Sequence, residues 1–252
     1  MSIKPKKHLG QHFLTDENIA GKIVDSLTNT KNVLEVGAGT GVLTKYLIQS
    51  ADNLKIIEID RESVNYLHQV FPAIKSNIIE SDFLKHNLTT IFDQEFTIIG
   101  NFPYNISSQI FFRIIQNRQA IPEVVGMIQK EVAERLAAPP GNKTYGILSV
   151  ILGAFYEIEY LFTVSESVFN PPPKVKSAVV RLKRKSIFEL DCDERLFMQV
   201  VKTAFNQRRK TLRNSIKSLL KPDTDNTAEI FSKRPEQLHF SEFVMLTNLI
   251  AE

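Results

Sequence analysis

A chain of 252 residues, 43% hydrophobic and 23% charged, is long enough for one large core and a smaller appended domain. Cys192 is its only cysteine, which excludes an intrachain disulfide framework, and no apolar stretch approaches the ~20 residues of a membrane span. Net charge is +3 but uneven: Pro171 to Lys221 holds 14 Lys and Arg against 4 Asp and Glu, a balance of +10 that leaves −7 elsewhere.

That asymmetry is an electrostatic footprint for a polyanion, with a solvated helical surface as the bland alternative. The basic start, MSIKPKKHLGQHFL, lacks the apolar core of a signal peptide. The expectation is a cytoplasmic protein with no membrane partner. Nothing in the pattern points to an obligate interface, so a monomer is expected.

In chain order, residues 15–28 form the first predicted helix, with Ile19, Ile23 and Leu27 at helical spacing and Thr15 or Asp16 as cap. Strands then alternate with helices. Strands are expected at 32–36, 54–59, 77–81, 96–100 and 123–129, and helices at 41–50, 61–71 and 106–117. Repeated βαβ units predict an α/β fold, a mostly parallel, doubly wound sheet with helices on both faces. A Pro/Gly loop at 138–146 precedes a buried helix, and 157–164 with 177–185 read as a late strand pair. After residue 185 only amphipathic helical patterns remain, at 194–207, 209–220 and 241–252. The domains expected are therefore 1–185, α/β, and 186–252, small and all-α.

The chemistry lies at the strand ends. LEVGAGTGVLT places Gly37, Gly39 and Gly41 between the first strand and its helix, where glycine permits a tight turn and close ligand approach. Glu58 closes the next strand, 21 positions after Gly37, where an acid receives ribose hydroxyls. The G-x-G-x-G spacing differs from the dinucleotide G-x-G-x-x-G, and this tight form, preceded by Glu35 of LEVG, is more typical of S-adenosylmethionine sites. Asp82 ends the third strand, placed to accept a hydrogen bond from an adenine amino group.

Asn101-Phe102-Pro103-Tyr104 follows the fourth strand. An exocyclic amine on a nucleobase is a poor nucleophile because its lone pair is delocalised into the ring. Two acceptors holding its N–H groups free that lone pair. Asn101 supplies a side-chain oxygen. Phe102, kept extended by the proline after it, supplies a carbonyl. Pro103 fixes the turn and adds no competing N–H. Tyr104 offers a flat face to a flipped base. A plain βα turn is the structural alternative. Arg208, Arg209, Lys210 and Arg213 crowd the C-terminal basic run; phosphate contact explains their density, with a domain interface or solvent as the alternative.

Taken in order, GQHFL, EVGAGTGVLT, EID, SDF, NFPYNIS, FNPPPKVKSAVVRL and AFNQRRKTLRNS resemble the small-subunit rRNA adenine dimethyltransferases of the KsgA/RsmA type, over almost the whole chain. The resemblance implies a Rossmann-like class I methyltransferase domain followed by a small helical RNA- or ribosome-binding domain. It implies transfer of methyl groups from S-adenosylmethionine to N6 of two adjacent adenosines near the 3′ end of 16S rRNA. Carried over by position, His12, Leu14 and Gly37 contact the cofactor, Glu58 takes its ribose and Asp82 its adenine. Asn101 lies between cofactor and target, and Tyr104 and Phe169 sandwich the target base.

The family more often has Asn where this chain has His12, and an imidazole can still donate one hydrogen bond. His8 and His12 are four apart, but Gly10 between them weakens a helix and no carboxylate motif joins them, so no metal is expected. The alternatives are a large-subunit (23S) rRNA adenine methyltransferase of the macrolide-resistance type and a non-catalytic ribosome assembly factor. A nicotinamide dehydrogenase is more distant. FNPPPKVKSAVV and RRKTLRNS favour the small-subunit type, and intact Gly37, Glu58, Asp82 and Asn101 favour an enzyme.

Overall fold

The structure is a computed structural model that describes residues 3–222 and 224–251. Its elements in chain order are β1 (Phe13–Leu14), α1 (Glu17–Val24), β2 (Asn32–Val36), α2 (Thr44–Ser50), β3 (Asn53–Glu58) and α3 (Arg61–Val70). There follow β4 (Ile78–Glu80), β5 (Thr97–Asn101), α4 (Ser107–Gln116), β6 (Glu123–Gln129), α5 (Lys130–Leu136) and α6 (Ile147–Phe155). The chain continues through β7 (Tyr156–Val164), β8 (Phe169–Asn170), β9 (Ser177–Arg184), α7 (Glu194–Asn206), α8 (Leu212–Ser215) and α9 (Phe240–Ala251).

Seven strands form one sheet in the order β4-β3-β2-β5-β6-β9-β7. The pairs β2–β3, β3–β4, β2–β5 and β5–β6 are parallel, and β9 runs antiparallel to β6. The central strands are mostly apolar because helices cover both faces: Val33, Leu34, Ile98, Ile99, Val124 and Val125 are fully buried. Two short strands, β1 and β8, pair outside this sheet, with Leu14 opposite Phe169.

This topology places the site. The chain builds outward from β2 through β3 to β4, then returns to the other side of β2 as β5. The order reverses between β2 and β5, so a crevice opens at their carboxyl ends. The glycine loop after β2, Glu58 ending β3 and Asn101 ending β5 all lie along that edge.

The chain divides into two compact units, one of Met1–Ala133 with Glu159–Arg184, the other of Glu134–Ile158 with Lys185–Glu252. In the second, α6 packs against α7 and α9, around buried Phe197, Val201, Phe243 and Leu246. Tyr145, Phe205 and Phe243 add ring contacts at 6.0–6.2 Å. Composition drew one line near Ser186; the packing of α6 adds residues 134–158 to the helical unit.

Most expected elements stand within a few residues of their places. The helix expected from 41 starts at Thr44, because Gly41 has φ of 78° and holds a turn. The helix expected over 209–220 is broken. Thr211 is extended, α8 spans four residues, and Ile216 at φ −108° and ψ 14° separates it from a 3-10 turn.

Candidate active site

A cavity of about 270 Å³ opens at the crevice, lined by the glycine loop, the ends of β3 and β5, the segment after β4, and a strap of chain from His8 to Leu14. Gly37 has φ of 74°, and a Cβ there would meet nothing within 4 Å, so the backbone lies bare to the cavity. Gly39, with φ of 55°, would push a Cβ to 2.8 Å from the Phe13 ring.

Glu58 is 4% exposed, and both its oxygens are engaged: the Gly39 N–H donates to Oε2 at 2.9 Å and the Asp60 N–H to Oε1 at 2.8 Å. Burial pushes its carboxyl up, and those two N–H groups work against the rise. The same bonds lock the glycine loop to the acid. Asp82 lines the cavity one strand further on; its Oδ1 accepts the Leu84 N–H at 2.9 Å, and Lys85 Nζ stands 3.8 Å from Oδ2.

The strap, with Lys6 just before it, is latched to Asp60 at the N-cap of α3. Lys6 Nζ meets Asp60 Oδ1 at 2.5 Å, and Gln11 Nε2 donates to Oδ2 at 3.1 Å. Burial raises the Asp60 carboxyl, but hydrogen bonds from Lys6, Gln11 and the Glu62 N–H outweigh it and hold it below the usual carboxylate range. Leu14, in β1, is buried and faces the cavity.

Asn101 sits where strap and sheet meet. Its Nδ2 donates to the His12 carbonyl at 2.9 Å, which identifies the nitrogen end of the amide and leaves Oδ1 as the acceptor end. Phe102 donates its N–H to the Met127 carbonyl at 3.0 Å. Its ring is fully buried, edge-on to Phe111, over glycines at 100 and 126; a Cβ on Gly126 would come within 2.5 Å of it. A core ring thus anchors the turn. The Pro103 carbonyl accepts the Ile106 N–H at 3.2 Å. Tyr104 shares a 2.5 Å hydrogen bond with Ser177 Oγ, and burial pushes its phenol up.

The structure therefore brings His12, Leu14, Gly37, Gly39, Glu58, Asp82 and the run from Asn101 to Tyr104 to one cavity. Phe169 is 4% exposed and belongs to the core cluster with Leu14, its partner across the β1–β8 pairing, which does line the cavity. The four basic residues belong to the helical unit. Arg208 already pairs with Glu236 at 3.7 Å and donates to the Asn142 carbonyl. Arg213 donates to the Asn226 carbonyl, and Arg209 and Lys210 are exposed.

Sequence reasoning assigned no role to two features, one of them Glu35, the acid of LEVG that precedes the glycine turn. Glu35 in β2 is 1% exposed, lines the cavity and accepts from Thr44 Oγ1 at 2.6 Å. Burial pushes it to about 8, with the Glu58 charge adding to the rise. The Asp60 latch was the other; its only signal was an acid at the cap of α3. Among the described residues, no cluster of three or more His, Cys, Asp or Glu is placed to hold a metal, and no helix is long and apolar enough to cross a membrane.

The sheet order, its glycine loop and its antiparallel penultimate strand are those of the class I S-adenosylmethionine-dependent methyltransferases. A dimethyladenosine transferase from Plasmodium falciparum has the same architecture, with a TM-score of 0.78 and 27% identity over 95% of this chain and 98% of that one. The 23S rRNA methyltransferase ErmE follows at 0.68 and 25%, over 95% and 100%. The Bacteroides thetaiotaomicron protein named ribosomal RNA small subunit methyltransferase A is 58% identical, over 99% of this chain and 95% of its own length. The family model for ribosomal RNA adenine dimethylases matches residues 3–238, and the chain belongs to that family. It is an enzyme of RNA adenine dimethylation.

Proposed function

We propose that the chain dimethylates N6 of two adjacent adenosines near the 3′ end of 16S rRNA in the small ribosomal subunit, as a cytoplasmic monomer. The observation that carries this is the meeting of the glycine turn, Glu58, Asp82 and Asn101 in one cavity. Identity supports the small subunit: 58% to the relative of that name against 25% to the large-subunit enzyme.

The residues present suit S-adenosylmethionine, which when bound supplies an electrophilic methyl group on a positively charged sulfur. Bare backbone at Gly37 admits close approach, Gly39 keeps the loop tied to Glu58, and His12 and Leu14 close the opposite wall. Glu58 retains lone pairs for ribose hydroxyls, and Asp82 accepts from an adenine amino group. No metal enters this scheme.

The target amine is activated by acceptors. Asn101 Oδ1 and the Phe102 carbonyl take its N–H groups, favour a pyramidal nitrogen and stabilise the positive charge that develops on it, as an oxyanion hole does for the opposite sign. Pro103 keeps the turn rigid and Tyr104 stacks the base. Arg209, Lys210 and Arg213, with Arg208 held in its own ion pair, contact phosphates and position the RNA.

Labelled S-adenosylmethionine, incubated with each ribosomal subunit from a strain lacking the modification, tests the assignment. Label is expected in the small subunit alone. Label confined to the large subunit would transfer the protein to the resistance type.

A further inference from the structure

Two walls of the cavity are tied to one residue. Asp60 gives its N–H to Glu58 Oε1 at 2.8 Å and so helps fix the acid at the sheet edge. Its carboxylate, 1% exposed, takes Lys6 Nζ at 2.5 Å and the Glu62 N–H at 3.1 Å on Oδ1, and Gln11 Nε2 at 3.1 Å and Ser63 Oγ at 3.2 Å on Oδ2. Glu62 and Ser63 belong to its own helix; Lys6 and Gln11 come from the strap side. The strap needs that tie. Every residue from Ile3 to Phe13 is at least partly exposed, and Leu14 is the first buried one. A segment that buries so little opens readily unless polar bonds hold it. Gln11, held by Asp60, adjoins His12, whose carbonyl accepts the Asn101 amide at 2.9 Å.

We infer that Asp60 is a positioning residue: through Lys6 and Gln11 it keeps the strap closed over the cofactor cavity, and the closed strap sets the Asn101 amide with its oxygen free to accept. An open strap withdraws the His12 carbonyl, lets the amide turn over and uncovers the cofactor. Lys6 is the part of the latch that can be removed alone. Its second partner, Glu62 at 3.1 Å, is exposed and adds little. The inference rests on the roles proposed above for S-adenosylmethionine and Asn101; those fail separately if the wild-type protein binds no cofactor or labels no small subunits.

The test compares Lys6→Met, Lys6→Arg and Asp60→Asn, the last keeping an acceptor for the cap of α3. Hydrogen exchange over residues 7–13, in the protein without cofactor, reads strap opening. A displacement chase reads S-adenosylmethionine dissociation, and single turnover on small subunits at saturating cofactor reads the Asn101 amide. Lys6→Met is expected to speed exchange and cofactor dissociation by about ten-fold, the weight of one hydrogen bond to a charged group, and to slow single turnover by a few-fold. Lys6→Arg restores all three, and Asp60→Asn shifts each in the direction of Lys6→Met. Strap exchange within about two-fold of wild type in Lys6→Met would overturn the inference, because the ion pair would not then hold the strap. Faster exchange with single turnover unchanged would overturn it too, leaving Asp60 a structural tie with no hold on Asn101.

Discussion

Asn101→Ala is expected to lose methyl transfer by about 100- to 1,000-fold, the scale seen when one preorganised charge-stabilising group is removed. The substitution deletes the Oδ1 acceptor and the donor to the His12 carbonyl. The strap should nonetheless stay in place, because Lys6 and Gln11 still latch it to Asp60 and β1 still pairs with β8. Cofactor and RNA affinities are therefore expected within about ten-fold of wild type. Single-turnover methyl transfer, with calorimetry and filter binding on the same preparation, separates chemistry from binding. A variant that turns over within ten-fold of wild type would remove Asn101 from the mechanism.

Glu35→Gln is expected to change stability in a pH-dependent way. The folded-state carboxyl lies at about 8 against an ordinary 4.5, chiefly through burial, with the Glu58 charge adding to it and Thr44 opposing. A raised carboxyl means that the folded state holds its proton more tightly than the unfolded chain does. Its contribution is complete below about 4.5, declines as pH rises towards about 8, and is flat above. Glutamine keeps an acceptor for Thr44 Oγ1 and cannot ionise. The variant should match wild type near pH 5 and exceed it at pH 8.5 by on the order of a few kcal/mol. Chemical denaturation at both pH values reads the difference. An equal offset at both would show that ionisation of Glu35 has no part in it.

Much of the scaffold was legible because buried parallel strands announce themselves. The strands at 32–36 and 123–129 match residue for residue, being short, mostly apolar runs bounded by turns. The cavity was legible for a related reason: a glycine turn, two acids and an amide each stood at a strand's carboxyl end, and topology gathers those ends at one edge. What escaped depends on partners remote in sequence. The two-residue strands β1 and β8 are too short to show periodicity, yet their pairing sets Phe169 opposite Leu14, a residue of the cavity wall. Asp60 reads as an ordinary helix cap until Lys6 and Gln11 are folded onto it. The break after Ser215 follows from backbone angles at Ile216 that no local pattern betrays.

Nucleoside mass spectrometry of 16S rRNA, after incubating undermethylated small subunits with the protein and S-adenosylmethionine, tests the central claim most directly. The account expects N6,N6-dimethyladenosine at two adjacent positions near the 3′ end. Dimethyladenosine absent from 16S rRNA but present in 23S rRNA, or absent from both while the cofactor still binds, would contradict it.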